Sequence, residues 1–347
     1  MDALPSLELS EREREELLDK YHSLLGAVRH SERNPLEQPV SMARRDLPKL
    51  LAEDYVVLRK SDGVRYTLFL TQMASGPVAV LVDRRLALRR LPVASRRDFF
   101  MGTVLDCELV QTRGGARRLL AFDALAYKGA RVASRPYGHR CALVAECLVP
   151  EPSEEEREDP SDFAARERAV RRQVSRGLLV LGASKLGLSL YYKPHVPLRR
   201  LEELLSDAGT HESDGLIFVA LGRGSKPGTS SSTFKLKAQH TVDLEVAGDK
   251  LFCGQGGGPE TAVCRVELPP GFVVDDRFWG AARKLVDETG IVECVILPGR
   301  VLLPTRCRRD KSHPNTLDVV RRTASDFDEC LSPGDVVDFL RESGALS

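Results

Sequence analysis

The chain has 347 residues, a length that predicts two domains of about 150 residues each, and its 51 Lys and Arg against 50 Asp and Glu leave a net charge of +1. With 42% hydrophobic and 29% charged residues, this balance excludes a disordered chain and a uniformly basic nucleic-acid coat. No apolar run reaches the roughly 20 residues that span a bilayer, and the opening MDALPSLELSEREREELL lacks a signal-peptide core.

Residues 8–30 predict an amphipathic helix. Leu17, Leu18, Tyr21, Leu24 and Leu25 share one face, and acids crowd the first turns, where they suit the helix dipole. Pro35 and Pro39 end that pattern. From 55 onward the texture is of short strands (YVVLRK, VRYTLFL, VAVLVDR, TVLDCELV, RRLLAFDALAY), several with the alternation of half-buried antiparallel strands. CALVAECLV reads equally as helix or buried strand. EPSEEEREDPSDF reads as a solvated acidic loop, FAARERAVRRQV as a charged helix, LGLSLYYK as a strand, LRRLEELLSDAG as a helix, and GLIFVAL and TFKLK as strands. GRGSKPGTSSS (222–232) reads as a flexible loop. Beyond TVDLEV come a glycine turn, strand-like RVELPPGFVV and IVECVILPGRVLLP, and a last helix. Ser332, Pro333 and Asp335 are the expected N-cap, first helical position and capping-box partner of that helix. The predicted segments are 1–50, 51–243, 244–325 (a small all-β module) and 326–347. The eight cysteines form no CxxC pair, which argues against a zinc module and predicts unpaired thiols in a reducing compartment.

The hexapeptide Lys60-Ser61-Asp62-Gly63-Val64-Arg65 falls between two predicted strands. Gly63 lets the backbone turn tightly or approach a phosphate, although such a hexapeptide alone reads as readily as a polar hairpin turn. Further elements follow in one order: Leu105-Asp106-Cys107-Glu108-Leu109-Val110, Ala121-Phe122-Asp123-Ala124, Glu212-Ser213-Asp214-Gly215-Leu216-Ile217-Phe218, Phe234-Lys235-Leu236-Lys237 and Arg306-Cys307-Arg308-Arg309-Asp310-Lys311.

This order resembles motifs I, III, IIIa, IV, V and VI of the covalent nucleotidyltransferase superfamily, which holds mRNA capping enzymes and ATP-dependent polynucleotide ligases. The resemblance covers residues 60–311. It implies an α+β chain: a nucleotidyltransferase domain of antiparallel sheets with flanking helices (51–243), and an OB-fold β-barrel at 244–325.

A lysine attacks an α-phosphate only when deprotonated, against a free pKa of about 10.4; nearby cations and a metal lower it. Lys60 is the implied nucleophile. Arg65, Lys235 and Lys237 are the implied cations, which also neutralise charge on the α-phosphate and the departing pyrophosphate. Glu108 and Asp214 suit ribose hydroxyls and a divalent ion, and Asp243 is a third implied ligand for Mg²⁺ or Mn²⁺. Asp62 and Gly63 complete the nucleotide-binding turn. Read alone, Glu108 and Asp214 are exposed carboxylates and Phe122 and Ile217 core residues; the resemblance makes Phe122 and Ile217 a sandwich for the base. Lys193 in YYKPHVP is a solvated lysine when read alone and a guanine contact by resemblance. Arg306, Arg308, Asp310 and Lys311 are implied to reach the β- and γ-phosphates when the OB module closes as a lid. The seven histidines read as surface or satisfied core residues.

Capping enzymes are favoured over ligases by Asp214-Gly215-Leu216-Ile217, by Thr241-Val242-Asp243, by Gln38-Pro39-Val40-Ser41-Met42, and by Ser312-His313-Pro314-Asn315 after motif VI. The form Phe234-Lys235-Leu236-Lys237 is shared with ligases. The implied activity is an mRNA guanylyltransferase that forms lysyl-GMP from GTP and passes GMP to a 5′-diphosphate RNA end. The alternatives are an ATP-dependent RNA or DNA ligase working through lysyl-AMP, and a catalytically dead nucleotide- or RNA-binding scaffold. RNA triphosphatase and cap methyltransferase are expected as separate proteins, an RNA polymerase is a partner the role allows, and no membrane is expected. The expected location is intracellular: nuclear, or the nucleus or cytoplasm of an infected cell if the source is viral, since the resemblance includes viral enzymes. Cations are expected to gather at the site, with acidic stretches such as 154–159 compensating elsewhere.

Overall fold

The computed structural model describes residues 9–27, 34–94, 96–149, 180–181, 188–237, 239–255, 265–286, 290–309, 311, 313–329 and 331–346. The acidic loop at 151–160 and the charged helix expected at 163–174 lie outside them. The chain forms two compact units. One comprises Met1–Val40, Pro48–Lys235 and Leu340–Ser347; the other comprises Ser41–Leu47 and Leu236–Phe339. Among the described residues no helix is long and apolar enough to cross a membrane.

The first unit is built on two sheets. The larger has seven strands, in the order Leu188–Tyr192, Arg117–Tyr127, Thr103–Gln111, Val64–Met73, Gly76–Val82 and Leu88–Leu91, with Ala130–Arg131 paired to Arg117–Tyr127. All its pairings are antiparallel except that of Leu188–Tyr192 with Arg117–Tyr127. Both faces are covered. Along Val64–Met73 successive side chains point to opposite sides: Leu68 and Leu70 enter a core with Leu81, Leu105 and Leu119, while Phe69 enters a second core with Val80, Val104, Leu17 and Tyr21. These last two belong to the helix Glu11–Leu25, which covers that face with Leu17, Tyr21 and Leu25 at four-residue spacing. A capping box starts the helix, Ser10 accepting from the Glu13 amide and Glu13 from the Ser10 amide. The smaller sheet runs Glu37–Ser41, Gly228–Lys237, Ser213–Ala220, Tyr55–Ser61, Val196–Pro197.

The segment that reads as either helix or strand is a helix, Tyr137–Cys147. The loop expected at 222–232 gives way to strand from Gly228. Backbone pairing on both sides overrides the low strand propensity of its serines, and Ser230 Oγ accepts from the Ser232 and Thr233 amides at 3.2 and 3.0 Å.

The second unit carries a five-stranded sheet in the order Arg265–Glu267, Lys250–Gly254, Thr241–Ala247, Ile291–Leu297, Val301–Cys307. Among the described residues it is an open path whose two edge strands each have one strand neighbour. The all-β expectation for this region is corrected by two helices, Asp276–Leu285 and Leu317–Asp328, whose Phe278, Ala282 and Val320 complete the core with Val242, Val292 and Cys294. Asp275 caps the first helix through the Phe278 amide at 3.0 Å. Phe278, Ala282 and Leu285 recur at helical spacing behind the capping Asp275, so the sequence does carry a signal for this helix. The final helix, Pro333–Glu342, starts with the expected box: Ser332 donates from its amide to Asp335 Oδ2 at 2.8 Å, and Ser332 Oγ accepts from the Asp335 amide at 3.1 Å.

Candidate active site

Lys60 stands near the end of strand Tyr55–Ser61, and Asp214 near the start of its antiparallel neighbour Ser213–Ala220. The register slips between Ser213 and Leu216, a bulge spanning Asp214 and Gly215, and Gly215 takes φ 148°. A bulge re-aims side chains, and here the Lys60 ammonium donates to both Asp214 oxygens at 2.5 Å. The two segments are tied further by Ser213 Oγ donating to the Lys60 carbonyl at 2.9 Å and the Asp62 amide donating to the Glu212 carbonyl at 3.0 Å. Asp62 itself is exposed. Ser61 Oγ lies 2.7 Å from buried His211 Nε2.

Gly63 earns its place by close approach. A Cβ there would stand 2.6 Å from the Leu109 carbonyl oxygen and 2.8 Å from Glu108 Cγ, so only glycine lets the turn lie against the strand that carries Glu108. Pairing of Val64 with Leu109 and Arg65 with Glu108 fixes that contact.

Arg65 is committed to a fork. Its Nε and Nη2 donate to buried Asp106 at 3.0 and 2.6 Å, and its Nη1 donates to the Glu37 carbonyl at 2.8 Å. Burial works against its charge, but Asp106, Glu108 and Asp123 outweigh it and hold the guanidinium above its ordinary pKa. Glu108 accepts from the buried Lys193 ammonium at 2.9 Å. Lys193 and Arg65 both stand over the Phe122 ring, 5.7 and 5.8 Å from its centroid. Phe122 and Ile217 pack into one small apolar cluster with Val56, Leu58 and Tyr137. The structure thus brings Lys193, just past the strand Leu188–Tyr192, together with Arg65, Glu108 and Phe122 of the larger sheet, and pairs Lys60 with Asp214 on the smaller.

Lys235 and Lys237 lie two residues apart on one face of Gly228–Lys237, with Phe234 and Leu236 buried on the other. The strand Ser213–Ala220 separates theirs from that of Lys60. In the second unit, Arg308 Nη1 donates to Asp243 at 2.8 and 3.0 Å, Lys311 also binds Asp243, and Arg306 Nε donates to Glu293 Oε2 at 2.5 Å. Asp243 is buried, with its carboxylate turned to these two cations, and it belongs to the other unit from Glu108 and Asp214. Asp310 lies outside the described residues. Among the described residues no three His, Cys, Asp or Glu side chains cluster as a ready-made metal site. Glu108 and Asp214 are hard oxygen donors of the kind Mg²⁺ takes alongside substrate phosphates, and here each carboxylate faces a lysine ammonium.

Several residues of the site had no sequence signal strong enough to single them out. Asp106 is the acid in an apolar strand that neutralises Arg65; its burial among Leu105, Cys107 and Leu109 is the one cue the sequence offers. Asp123, next to Phe122, takes a two-pronged bond from Arg140 at 2.7 and 2.9 Å, both side chains buried. His195 and Tyr137 sit beside Phe122 and Lys193 through main-chain contacts, which leave no sequence pattern.

The family model described as mRNA capping enzyme, catalytic domain, matches residues 1–239. The mRNA-capping enzyme subunit alpha of Neurospora crassa is 30% identical over 227 residues, covering 61% of this chain and 52% of that protein. The subunit alpha of Schizosaccharomyces pombe is 26% identical over 340 residues, covering 87% of this chain and 79% of that one. The mRNA-capping enzyme of Danio rerio is 23% identical over 323 residues, covering 88% of this chain and 49% of its own. The chain therefore spans about half the length of the Neurospora and Danio relatives it matches. Among solved structures, a mycobacterial DNA ligase D complexed with ATP and MES matches at TM-score 0.39 and 13% identity, covering 84% of this chain and 97% of that one.

Proposed function

Because this chain belongs to the mRNA capping enzyme family, we propose that it is an mRNA guanylyltransferase whose nucleophile is Lys60. The observation that carries this reading is the Lys60–Asp214 pair, with the nucleophilic nitrogen 2.5 Å from both carboxylate oxygens. A protonated amine has no lone pair to attack with, and Asp214 is an acceptor within reach of its proton. The Lys60 nitrogen then bonds to the α-phosphorus of GTP, the bond to the β-phosphate oxygen breaks, and pyrophosphate leaves. The resulting phosphoramidate passes GMP to the terminal phosphate of a 5′-diphosphate RNA, making GpppN and freeing the lysine.

Phe122 and Ile217 supply apolar surface for the base, and Lys193 a donor for an acceptor on its edge. Lys235 and Lys237 supply positive charge along the phosphates. In this reading Mg²⁺ or Mn²⁺ is held by Glu108 and Asp214 and offsets negative charge on the phosphates when bound. The second unit acts as an OB-type lid whose Arg306, Arg308 and Lys311 exchange Asp243 and Glu293 for the β- and γ-phosphates. RNA triphosphatase and cap methyltransferase activities supply the flanking steps, an RNA polymerase is a partner the role allows, and the place of work is intracellular: the nucleus, or the nucleus or cytoplasm of an infected cell.

The test is covalent labelling. Incubated with α-labelled GTP and Mg²⁺ or Mn²⁺, then denatured, the chain should carry acid-labile, alkali-stable label, and Lys60→Ala should carry none. Label from ATP in place of GTP would replace this reading with a ligase, and label on Lys60→Ala would remove Lys60 as the nucleophile.

A further inference from the structure

Beside the base-binding residues lies a short relay of polar groups that none of the chemistry above employs. His195 Nδ1 stands 2.7 Å from the main-chain carbonyl of Lys193. The Tyr137 hydroxyl stands 2.6 Å from His195 Nε2 and 2.8 Å from the main-chain carbonyl of Phe122. Carbonyls only accept, so the direction of the relay is fixed at both ends: Nδ1–H donates to Lys193, and the hydroxyl proton of Tyr137 is shared between Nε2 and Phe122. The imidazole is stacked on Tyr192, ring centroids 5.0 Å apart at 13°. Tyr137 is buried at the first turn of its helix, one turn before Arg140, which grips Asp123 next to Phe122. Burial holds the imidazole pKa down at about 4, so at neutral pH the ring stays uncharged and adds no repulsion to the Lys193 ammonium.

We propose that His195 and Tyr137 are positioning residues for base selection: they tie the backbones of Lys193 and Phe122 at a fixed separation, so that the ammonium and the ring meet one purine edge and face together. The inference rests on the guanylyltransferase reading. Lys193 is a donor, so a base with an oxygen acceptor at the purine 6-position suits it and a 6-amino base does not. Neither His195 nor Tyr137 touches the reacting atoms. Loosening them should change how well the nucleotide is held and chosen, and should leave the attack of Lys60 alone.

The experiment is single-turnover labelling of the full chain with GTP and with ATP over a range of concentrations, alongside thermal melting. Losing one buried hydrogen bond is worth about a tenfold change in an equilibrium. His195→Ala should therefore raise the GTP concentration for half-maximal labelling by about that factor, keep the maximal rate within about twofold, and reduce the preference for GTP over ATP. Tyr137→Phe keeps the ring and should give a smaller shift in the same direction. His195→Asn keeps an N–H for the Lys193 carbonyl and should recover most of the loss. The inference is overturned if His195→Ala lowers the maximal rate with the half-saturation unchanged. It is equally overturned if His195→Asn is no better than His195→Ala at matched melting temperature, or if all three variants match the parent. A parent chain that labels from ATP and not from GTP would overturn the guanylyltransferase reading, and this assignment with it.

Discussion

Gly63→Ala tests whether the turn bearing the nucleophile is held in place by contact with the strand of Glu108. The added Cβ would stand 2.6 Å from the Leu109 carbonyl oxygen, 2.8 Å from Glu108 Cγ and 3.0 Å from Val110 Cγ1, where ordinary contact begins at 3.4 Å. The Leu109 oxygen cannot yield, because Val64 pairs with Leu109 in the sheet. The Glu108 side chain can yield only by disturbing its bond to Lys193. The turn must therefore lift by about 0.5–1 Å, an overpacking strain of about 2 kcal/mol, or roughly 4–8 °C of melting temperature for a unit of this size. Lys60 is three residues away, and a displacement of about 1 Å at a reacting group costs on the order of 10²-fold in rate. The assay pairs thermal melting with single-turnover labelling from GTP. The expected result is a modest loss of stability and a large loss of rate. A Gly63→Ala chain that labels within threefold of the parent would refute the close-contact reasoning, whatever its melting temperature.

Three further perturbations follow from the same geometry. Asp214→Asn removes the proton acceptor facing Lys60 and should slow single-turnover labelling by about 10²–10⁴-fold with little change in melting temperature; an unchanged rate would take Asp214 out of the proton step. Arg140→Ala strands buried Asp123 and should cost about 3–5 kcal/mol in urea unfolding, with the double variant Asp123→Leu/Arg140→Met recovering much of it; a loss under 1 kcal/mol in the single variant would mean the pair is not holding the Phe122 strand. Because the folded pKa of His195 is depressed to about 4 from 6.5, its unfolded form binds a proton first. Its contribution of up to about 3 kcal/mol is thus complete above pH 6.5 and lost as pH falls through about 4. The groups facing the ring are Tyr137 and Cys141 from the helix and Tyr192 and Lys193 from the strand end. None of these titrates across that window at its ordinary pKa, so His195→Asn should flatten the profile between pH 4 and 6.5, and a profile no flatter would contradict the assignment.

The parts of the fold that were legible in the sequence are those where one physical signal dominates. Alternating apolar residues mark Val64–Met73 and Thr103–Gln111, the i, i+4 stripe of Leu17, Tyr21 and Leu25 marks the first helix, and Ser332 with Asp335 marks the start of the last. The motif order made Lys60, Glu108 and Asp214 candidates, but it does not say which cation each carboxylate faces. Those pairings come from tertiary register: the bulge at Asp214–Gly215, the Arg65–Glu108 pairing across two strands, and the close pass of Gly63. The helix Asp276–Leu285 carries a sequence signal as well. Phe278, Ala282 and Leu285 keep helical spacing behind the Asp275 cap, and what the sequence does not show is that this stripe docks on the sheet against Val242 and Val292.

The net charge of +1 takes on a different meaning once the pairs are known. The sequence alone invites the idea of bare cations at the site balanced by acidic stretches far away. In the first unit Lys60 faces Asp214, Arg65 faces Asp106 and Lys193 faces Glu108. In the second, Arg308 and Lys311 face Asp243, and Arg306 faces Glu293. Each of these cations is matched locally by a carboxylate. Where a pair is largely buried, as with Arg65–Asp106 and Lys193–Glu108, removing one partner leaves the other charge uncompensated, which is costly. Replacing a carboxylate oxygen by a phosphate oxygen on the same cation is an exchange of like for like. In the proposed reaction, a triphosphate entering such a site displaces anions already in place. For the cations named here, phosphate oxygens can therefore be taken on without bare positive charge in their absence.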